Sequence, residues 1–262
     1  MKKLSISAIL KRKNILPIVM ITAYDALFAR LFEESADILL VGDSLNMSFG
    51  GNPDTLNIGM DQMIYHTNAV CKGAQNTFII CDMPFGTYTD QSTALSNAIR
   101  VYRETPADAV KIEGGANKAH LVKYLVDNGI AVCGHIGLLP QSVRAEGGYK
   151  VKGKTEEEAL SLIADAQTIE KAGAFILVIE GVKADVATRV AQSVSIPVIG
   201  IGAGNGVDGQ VLVFSDMLGL YEPFVPKFVK QYMNGAGAVK EAVGKYSEEV
   251  QNCSFPDENH VY

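Results

Sequence analysis

Apolar and polar positions alternate along the chain in two rhythms. Short, β-branched apolar runs occur at 17–23 (PIVMITA), 37–43 (DILLVGD), 77–82 (TFIICD) and 108–113 (DAVKIE), then at 130–135 (IAVCGH), 174–180 (AFILVIE), 197–202 (PVIGIG) and 210–214 (QVLVF). Runs this continuously apolar are expected of parallel strands covered on both faces. Helical stripes fill most of the gaps: Met63, Ile64, Thr67, Val70 and Cys71 form one, and Leu121, Tyr124 and Leu125 another. Thr155 with Glu158 three residues on reads as a capping box opening a helix over 155–172, and Gly173 stops it. Strand–helix alternation predicts βαβ units. Eight units in 262 residues favour a closed α/β structure, the (β/α)8 or TIM barrel, as a single domain over 1–262, close to the ~250 residues usual for that fold. The stretch between the seventh and eighth strands is short and glycine-rich, so the seventh helix should be vestigial or missing. A short N-terminal helix is expected at about 5–12, with Ser5 or Ser7 near its cap. From about 222 to 262 the pattern loosens into Pro223, Pro226, a helical stretch near 227–249 and a polar tail, read as a C-terminal helical extension.

Composition narrows the function classes. Hydrophobic residues at 48% and charged residues at 20% support a full core rather than disorder. A net charge of −6 and a pI near 5.3 leave no basic face for nucleic acid, and Lys11-Arg12-Lys13 reads as a solvated loop. Cys71, Cys81, Cys133 and Cys253 form no CxxC and lack histidines at zinc spacing, so reduced thiols are expected. The start, Met1-Lys2-Lys3 before Leu4 to Leu10, faintly resembles a signal peptide but is short and lacks a cleavage site. No apolar run approaches the ~20 residues of a membrane span. The expectation is a cytoplasmic protein with neither nucleic acid nor membrane as a partner.

The polar residues that end the apolar runs carry the chemistry. Asp43-Ser44 follow the second run, Asp82 ends the third, Lys111 and Glu113 the fourth, His135 the fifth and Glu180 the sixth. In a (β/α)8 barrel those ends converge on one mouth. Lys111 and Glu113, two apart, share a face. Three carboxylates crowded into an apolar cup raise one another's pKa, and a divalent cation removes that cost. Asp43, Asp82 and Glu113 therefore read as a magnesium site with positions left for substrate oxygens, ligated directly or through water. Blander readings stand beside this one: Asp43 as a helix cap, Lys111–Glu113 as a structural ion pair, His135 as a satisfied core histidine. Glu180 is harder to explain as structure, because an unpaired buried carboxylate is costly. The glycines of 200–206 do not make a dinucleotide fingerprint, since Asn205 and Val207 occupy the third-glycine positions. A tight loop at the barrel mouth is the better account.

Nine segments, in order from about residue 3 to about 245, resemble the ketopantoate hydroxymethyltransferase family. They are TAYDALFA (22–29), VGDSLNM (41–47), MIYHT (63–67), DMPFGTY (82–88), VKIEGG (110–115), GHIGLLPQSV (134–143), GGYKVKGK (147–154), IGIGAG (199–204) and DGQVLVFSDMLG (208–219). The resemblance implies a barrel of the phosphoenolpyruvate/pyruvate superfamily. It implies transfer of a one-carbon unit from 5,10-methylenetetrahydrofolate to the 2-oxo acid 3-methyl-2-oxobutanoate, giving 2-dehydropantoate for pantothenate synthesis. It further implies Mg2+ on Asp43, Asp82 and Glu113, oxo-acid contacts from Asp43, Ser44, Asp82 and Lys111, Glu180 as proton acceptor, and self-association, often as a homodecamer. His135 is expected to hydrogen-bond within the site and is placed with the substrate-binding residues. Four positions depart from the family pattern: Asn46 replaces Gly, Leu139 Thr, Lys152 Gln, and Gly-Val-Lys183 a Cys-Val-Pro. A sister lyase or mutase, a metal-binding scaffold without turnover, and a nucleotide-dependent oxidoreductase are the competing readings.

Overall fold

A computed structural model describes residues 3–262; Met1 and Lys2, which head the signal-like start, lie outside the described residues. All eight apolar runs are strands: β1 Ile18–Thr22, β2 Ile38–Val41, β3 Phe78–Asp82, β4 Ala109–Glu113, β5 Val132–Gly137, β6 Ile176–Glu180, β7 Val198–Ile201 and β8 Gly209–Leu212. They pair in parallel, in chain order, and β8 closes on β1. β5 continues two residues past His135 and stops at Gly137, whose φ of 97° and close approach to the Glu180 carbonyl leave no room for a side chain.

Side-chain parity explains both the core and the site. Residues two apart share a strand face, and Ile18, Met20, Ile38, Leu40, Phe78, Ile80, Ala109, Cys133, Ile176, Val178, Ile199 and Val211 form one buried apolar cluster. Ile9, from the N-terminal helix Ile6–Leu10, joins this cluster. Each Val, Leu, Ile, Phe or Met side chain among them, taken fully out of water, contributes about 1.5–3 kcal/mol. Continuing the same parity upward, Phe78–Ile80 leads to Asp82, Ala109 to Lys111 and Glu113, Cys133 to His135, and Ile176–Val178 to Glu180. The strand register then sets Asp82 beside Lys111 and Glu113 beside His135.

The predicted helices are present, with caps. Met63, Ile64, Thr67, Val70 and Cys71 are the buried face of Met60–Gly73. Of the second stripe, Leu121 and Leu125 are buried on Ala119–Asp127, together with Val122. Ser5, not Ser7, caps the first helix through the Ala8 N–H. Thr155 Oγ accepts the Glu158 N–H at 3.2 Å to open Glu156–Lys171. The return half of the capping box is displaced by one residue, because Glu158 accepts from the Lys154 N–H instead. No helix joins β7 to β8. The four cysteines are free thiols, three of them buried, and no described helix is long and apolar enough to cross a membrane.

Contacts divide the chain into two units, Met1–Val213 and Phe214–Tyr262. The second contains the short helix Phe214–Met217 and the long helix Gly235–Gln251. That long helix starts eight residues later than expected. Asn234 supplies its cap by accepting the Gly237 N–H, whereas the stretch after Pro223 and Pro226 is irregular.

Candidate active site

The C-terminal ends of β2 to β6 bring six of the seven sequence-predicted side chains into one connected cluster, with Ser44 at its edge. Asp43, Asp82, Lys111, Glu113 and His135 are each at most 4% exposed. The Lys111 ammonium lies 3.2 Å from Asp82 Oδ1, 4.0 Å from Glu113 Oε1 and 3.2 Å from His135 Nδ1. On its other side, the His135 ring has Nε2 3.3 Å from Glu180 Oε2. Glu180 is the one carboxylate of the group that opens toward solvent, its side chain 18% exposed. Ser44 Oγ bonds the Tyr24 hydroxyl at 2.8 Å. Gly42 gives the Ser44 hydroxyl room, since a Cβ there would meet Ser44 Oγ at 2.9 Å.

The blander readings can now be compared with the geometry. Asp43 does not cap the following turn; its Oδ2 accepts from Gln141 Nε2 at 2.8 Å. Lys111 faces Asp82 more closely than Glu113, so it is shared rather than a partner of its neighbour alone. His135 bridges Lys111, 3.2 Å from its Nδ1, and Glu180, 3.3 Å from its Nε2, so its ring is tied to charged groups on both sides.

Charge is out of balance here. Asp43, Asp82, Glu113 and Glu180 face one lysine and one histidine. Burial, then the neighbouring carboxylates Asp82 and Glu113, push Asp43 well above the ordinary carboxylate range. Burial also raises Asp82, against the pull of Lys111. For Glu113 burial is outweighed by His135, Lys111 and the Gln141 N–H, and its carboxyl is held below the usual value. Burial and Lys111 depress His135, yet Glu113 and Glu180 carry it up to about 9. Lys111 is likewise held above its ordinary value by Asp82, Glu113 and Asp43 despite burial.

The donor set suits a hard divalent cation. One oxygen of each carboxylate is held by an N–H: Asp43 Oδ2 by Gln141 Nε2, Asp82 Oδ2 by the Asp43 amide at 3.1 Å, Glu113 Oε2 by the Gln141 amide at 3.1 Å. Asp82 Oδ1 and Glu113 Oε1 remain buried without a directed hydrogen bond. Among the described residues no three His, Cys, Asp or Glu side chains are placed to hold a metal ion together.

Several residues of the site carry no charge and were not singled out in the sequence. Gln141 and Tyr88 are buried between the carboxylates, and Tyr24 supports Ser44. Gln141 and Tyr88 lie inside the quoted segments GHIGLLPQSV and DMPFGTY, where an uncharged polar side chain in a loop gives no signal of its own. Two loops flank the mouth. Asp54, after β2, accepts from Arg144 Nε and Nη2 at 3.1 and 2.9 Å, and Tyr149 reaches Met47 Sδ at 3.7 Å. Asn46 ties the first loop by donating to the Asp54 carbonyl at 2.7 Å, and Lys152 pairs with Glu146. Nothing in the structure explains Leu139 or Lys183. A groove of about 700 Å3 lined by Leu95, Ile99, Arg103 and Tyr124 lies on the outer helices, and Arg100 beside it is already paired with Asp61 and Glu104.

An eight-stranded parallel barrel whose mouth gathers four carboxylates, a lysine and a histidine defines a (β/α)8-barrel enzyme. Solved structures share the fold: 2,3-dimethylmalate lyase, a PEP mutase/isocitrate lyase superfamily member, has a TM-score of 0.60 at 16% identity over 98% of this chain and 91% of its own. Phosphonopyruvate hydrolase in complex with oxalate and Mg++ has a TM-score of 0.61 at 12% identity over 97% and 92%. The curated 3-methyl-2-oxobutanoate hydroxymethyltransferase of Sulfurimonas denitrificans is 67% identical over 261 residues, 100% of this chain and 99% of the relative. The ketopantoate hydroxymethyltransferase family profile matches residues 3–258, and the chain belongs to that family.

Proposed function

We propose that this chain transfers a hydroxymethyl group from 5,10-methylenetetrahydrofolate to 3-methyl-2-oxobutanoate, giving 2-dehydropantoate, in a magnesium-dependent reaction. The observation that carries the reading is the position of Glu180, a half-open carboxylate facing three closed ones across His135 and Lys111. Asp43, Asp82 and Glu113 would hold the magnesium ion. When bound, it supplies Lewis-acid stabilisation of the charge that develops on the ketone oxygen.

Every other step falls to the protein. Lys111 and the Ser44 hydroxyl or amide hold the substrate carboxylate, with Tyr24 fixing the hydroxyl. Glu180 takes the proton from the carbon next to the ketone, a general-base contribution of ~10²–10⁴-fold. The carbon nucleophile then forms a C–C bond to the methylene carried by the folate; the methylene–nitrogen bond breaks, water supplies the hydroxyl oxygen, and the folate nitrogen keeps a proton, so that tetrahydrofolate leaves. His135, 3.3 Å from Glu180, holds that carboxylate toward the mouth. A cytoplasmic location, which rests on the unpaired cysteines and the lack of a long apolar run, and assembly into a homodecamer, which rests on the family resemblance, belong to the same reading.

The test is product formation. With Mg2+, 3-methyl-2-oxobutanoate and methylenetetrahydrofolate, 2-dehydropantoate should form, and omitting either the folate or the metal should stop it. Cleavage of a 2-oxo-acid adduct without folate would favour a sister lyase instead.

A further inference from the structure

Gln141 links more of the site than any residue the mechanism uses. It is 6% exposed and sits between the loops that follow β2, β3 and β5. Its Nε2 donates to Asp43 Oδ2 at 2.8 Å and to the Met83 carbonyl at 3.0 Å, and its backbone N–H donates to Glu113 Oε2 at 3.1 Å. Its Oε1 accepts the Tyr88 hydroxyl. Tyr88 in turn accepts the Glu113 N–H at 3.4 Å.

The direction of this network is fixed by its chemistry. The Met83 carbonyl can only accept, so the amide NH2 must face it, and the carbonyl end must face Tyr88. The Tyr88 oxygen already receives the Glu113 N–H, which leaves its single proton for Gln141. Both amide hydrogens are then spent, one on Asp43 and one on Met83. Asp43 then has one lone pair of Oδ2 tied to a donor, which makes Oδ1 its freer oxygen. The same residue's backbone does this for Glu113.

We infer that Gln141, held by Tyr88, is a positioning residue that sets which oxygens of Asp43 and Glu113 face the cup where a divalent cation would sit. The inference rests on the magnesium reading above. A donor behind a ligating carboxylate fixes its orientation and typically accounts for 10–100-fold in metal affinity. Gln141→Met keeps the length of the side chain and removes both donors to Asp43 and Met83. Its backbone N–H to Glu113 stays, so the expected loss is at the lower end of that range, about tenfold. Tyr88→Phe removes one oxygen and frees the amide to turn over, so a smaller loss in the same direction is expected.

The experiment is titration of the purified full-length protein with Mn2+, read by electron paramagnetic resonance, alongside thermal unfolding of the metal-free protein. The inference predicts weaker Mn2+ binding in both variants while circular dichroism shows them folded. Should Gln141→Met not fold, Tyr88→Phe carries the same test. Binding within twofold of wild type in the folded variants, with only the unfolding temperature lowered, would mean a purely structural glutamine and overturn the inference. Absence of Mn2+ and Mg2+ binding by the wild type would instead overturn the magnesium reading, and the inference with it.

Discussion

Removing the only lysine of the cup isolates its electrostatics most cleanly. Lys111→Met keeps the aliphatic length and deletes the charge that stands 3.2 Å from Asp82 and 4.0 Å from Glu113. At an effective dielectric of 20, those distances correspond to roughly 5 and 4 kcal/mol of attraction. Much of this is offset by desolvation of the lysine, so breaking the cluster should cost about 3–5 kcal/mol in the metal-free protein. For a barrel of this size that is on the order of 10 °C in Tm.

The sign with pH follows from the carboxyls. Asp43 and Asp82 have folded-state pKa values raised above their unfolded ones, so the folded state binds the extra protons and loses stability as pH rises through those values. Without Lys111 they rise further, and the penalty should be larger at pH 8 than at pH 5. Calorimetry in EDTA at both pH values measures it, and Mg2+ should restore part of the loss at pH 8. A penalty below about 1 kcal/mol, the size of a surface ion pair, or one that does not grow with pH, would refute the reasoning.

Two further outcomes test the packing and charge away from the mouth. Gly73→Ala places a methyl 2.3 Å from the Ala26 carbonyl oxygen, where helix Met60–Gly73 meets Ala26–Phe32; a loss of about 3 kcal/mol, the upper end of overpacking costs, should appear as a lowered Tm. Asp216 is pushed up to about 6 by burial, so its charged form costs stability once pH passes 6. Asp216→Asn should therefore stabilise at pH 8 and not at pH 4.5, by ~1 kcal/mol after allowance for its partial exposure, as denaturant midpoints at the two pH values would show.

The barrel was legible because parallel strands covered on both faces must be apolar almost throughout, and eight such runs stand out against helical stripes. Within four of those runs the site was legible for the same reason. An inward row that reads Phe78, Ile80, Asp82 or Ile176, Val178, Glu180 changes from oil to charge only where the strand reaches the mouth. Two kinds of feature stayed hidden. Gln141 and Tyr88 act through hydrogen bonds across loops, and neither periodicity nor charge marks an amide or a phenol for that role. Asn46 stood out only as a departure, whereas its bond to the Asp54 carbonyl makes it a strut of the loop that carries Asp43 and Ser44. The C-terminal helix was misplaced because its start depends on the Asn234 cap rather than on apolar spacing.

The role proposed for Glu180 is to take the proton from the carbon beside the ketone. Proton exchange of 3-methyl-2-oxobutanoate in D2O, followed by NMR with Mg2+ and no folate, isolates that step. The wild type should replace the hydrogen on C3 with deuterium, and Glu180→Gln should slow this by ~10²–10⁴-fold while oxo-acid binding stays nearly unchanged. Exchange by Glu180→Gln at the wild-type rate would exclude Glu180 as the base.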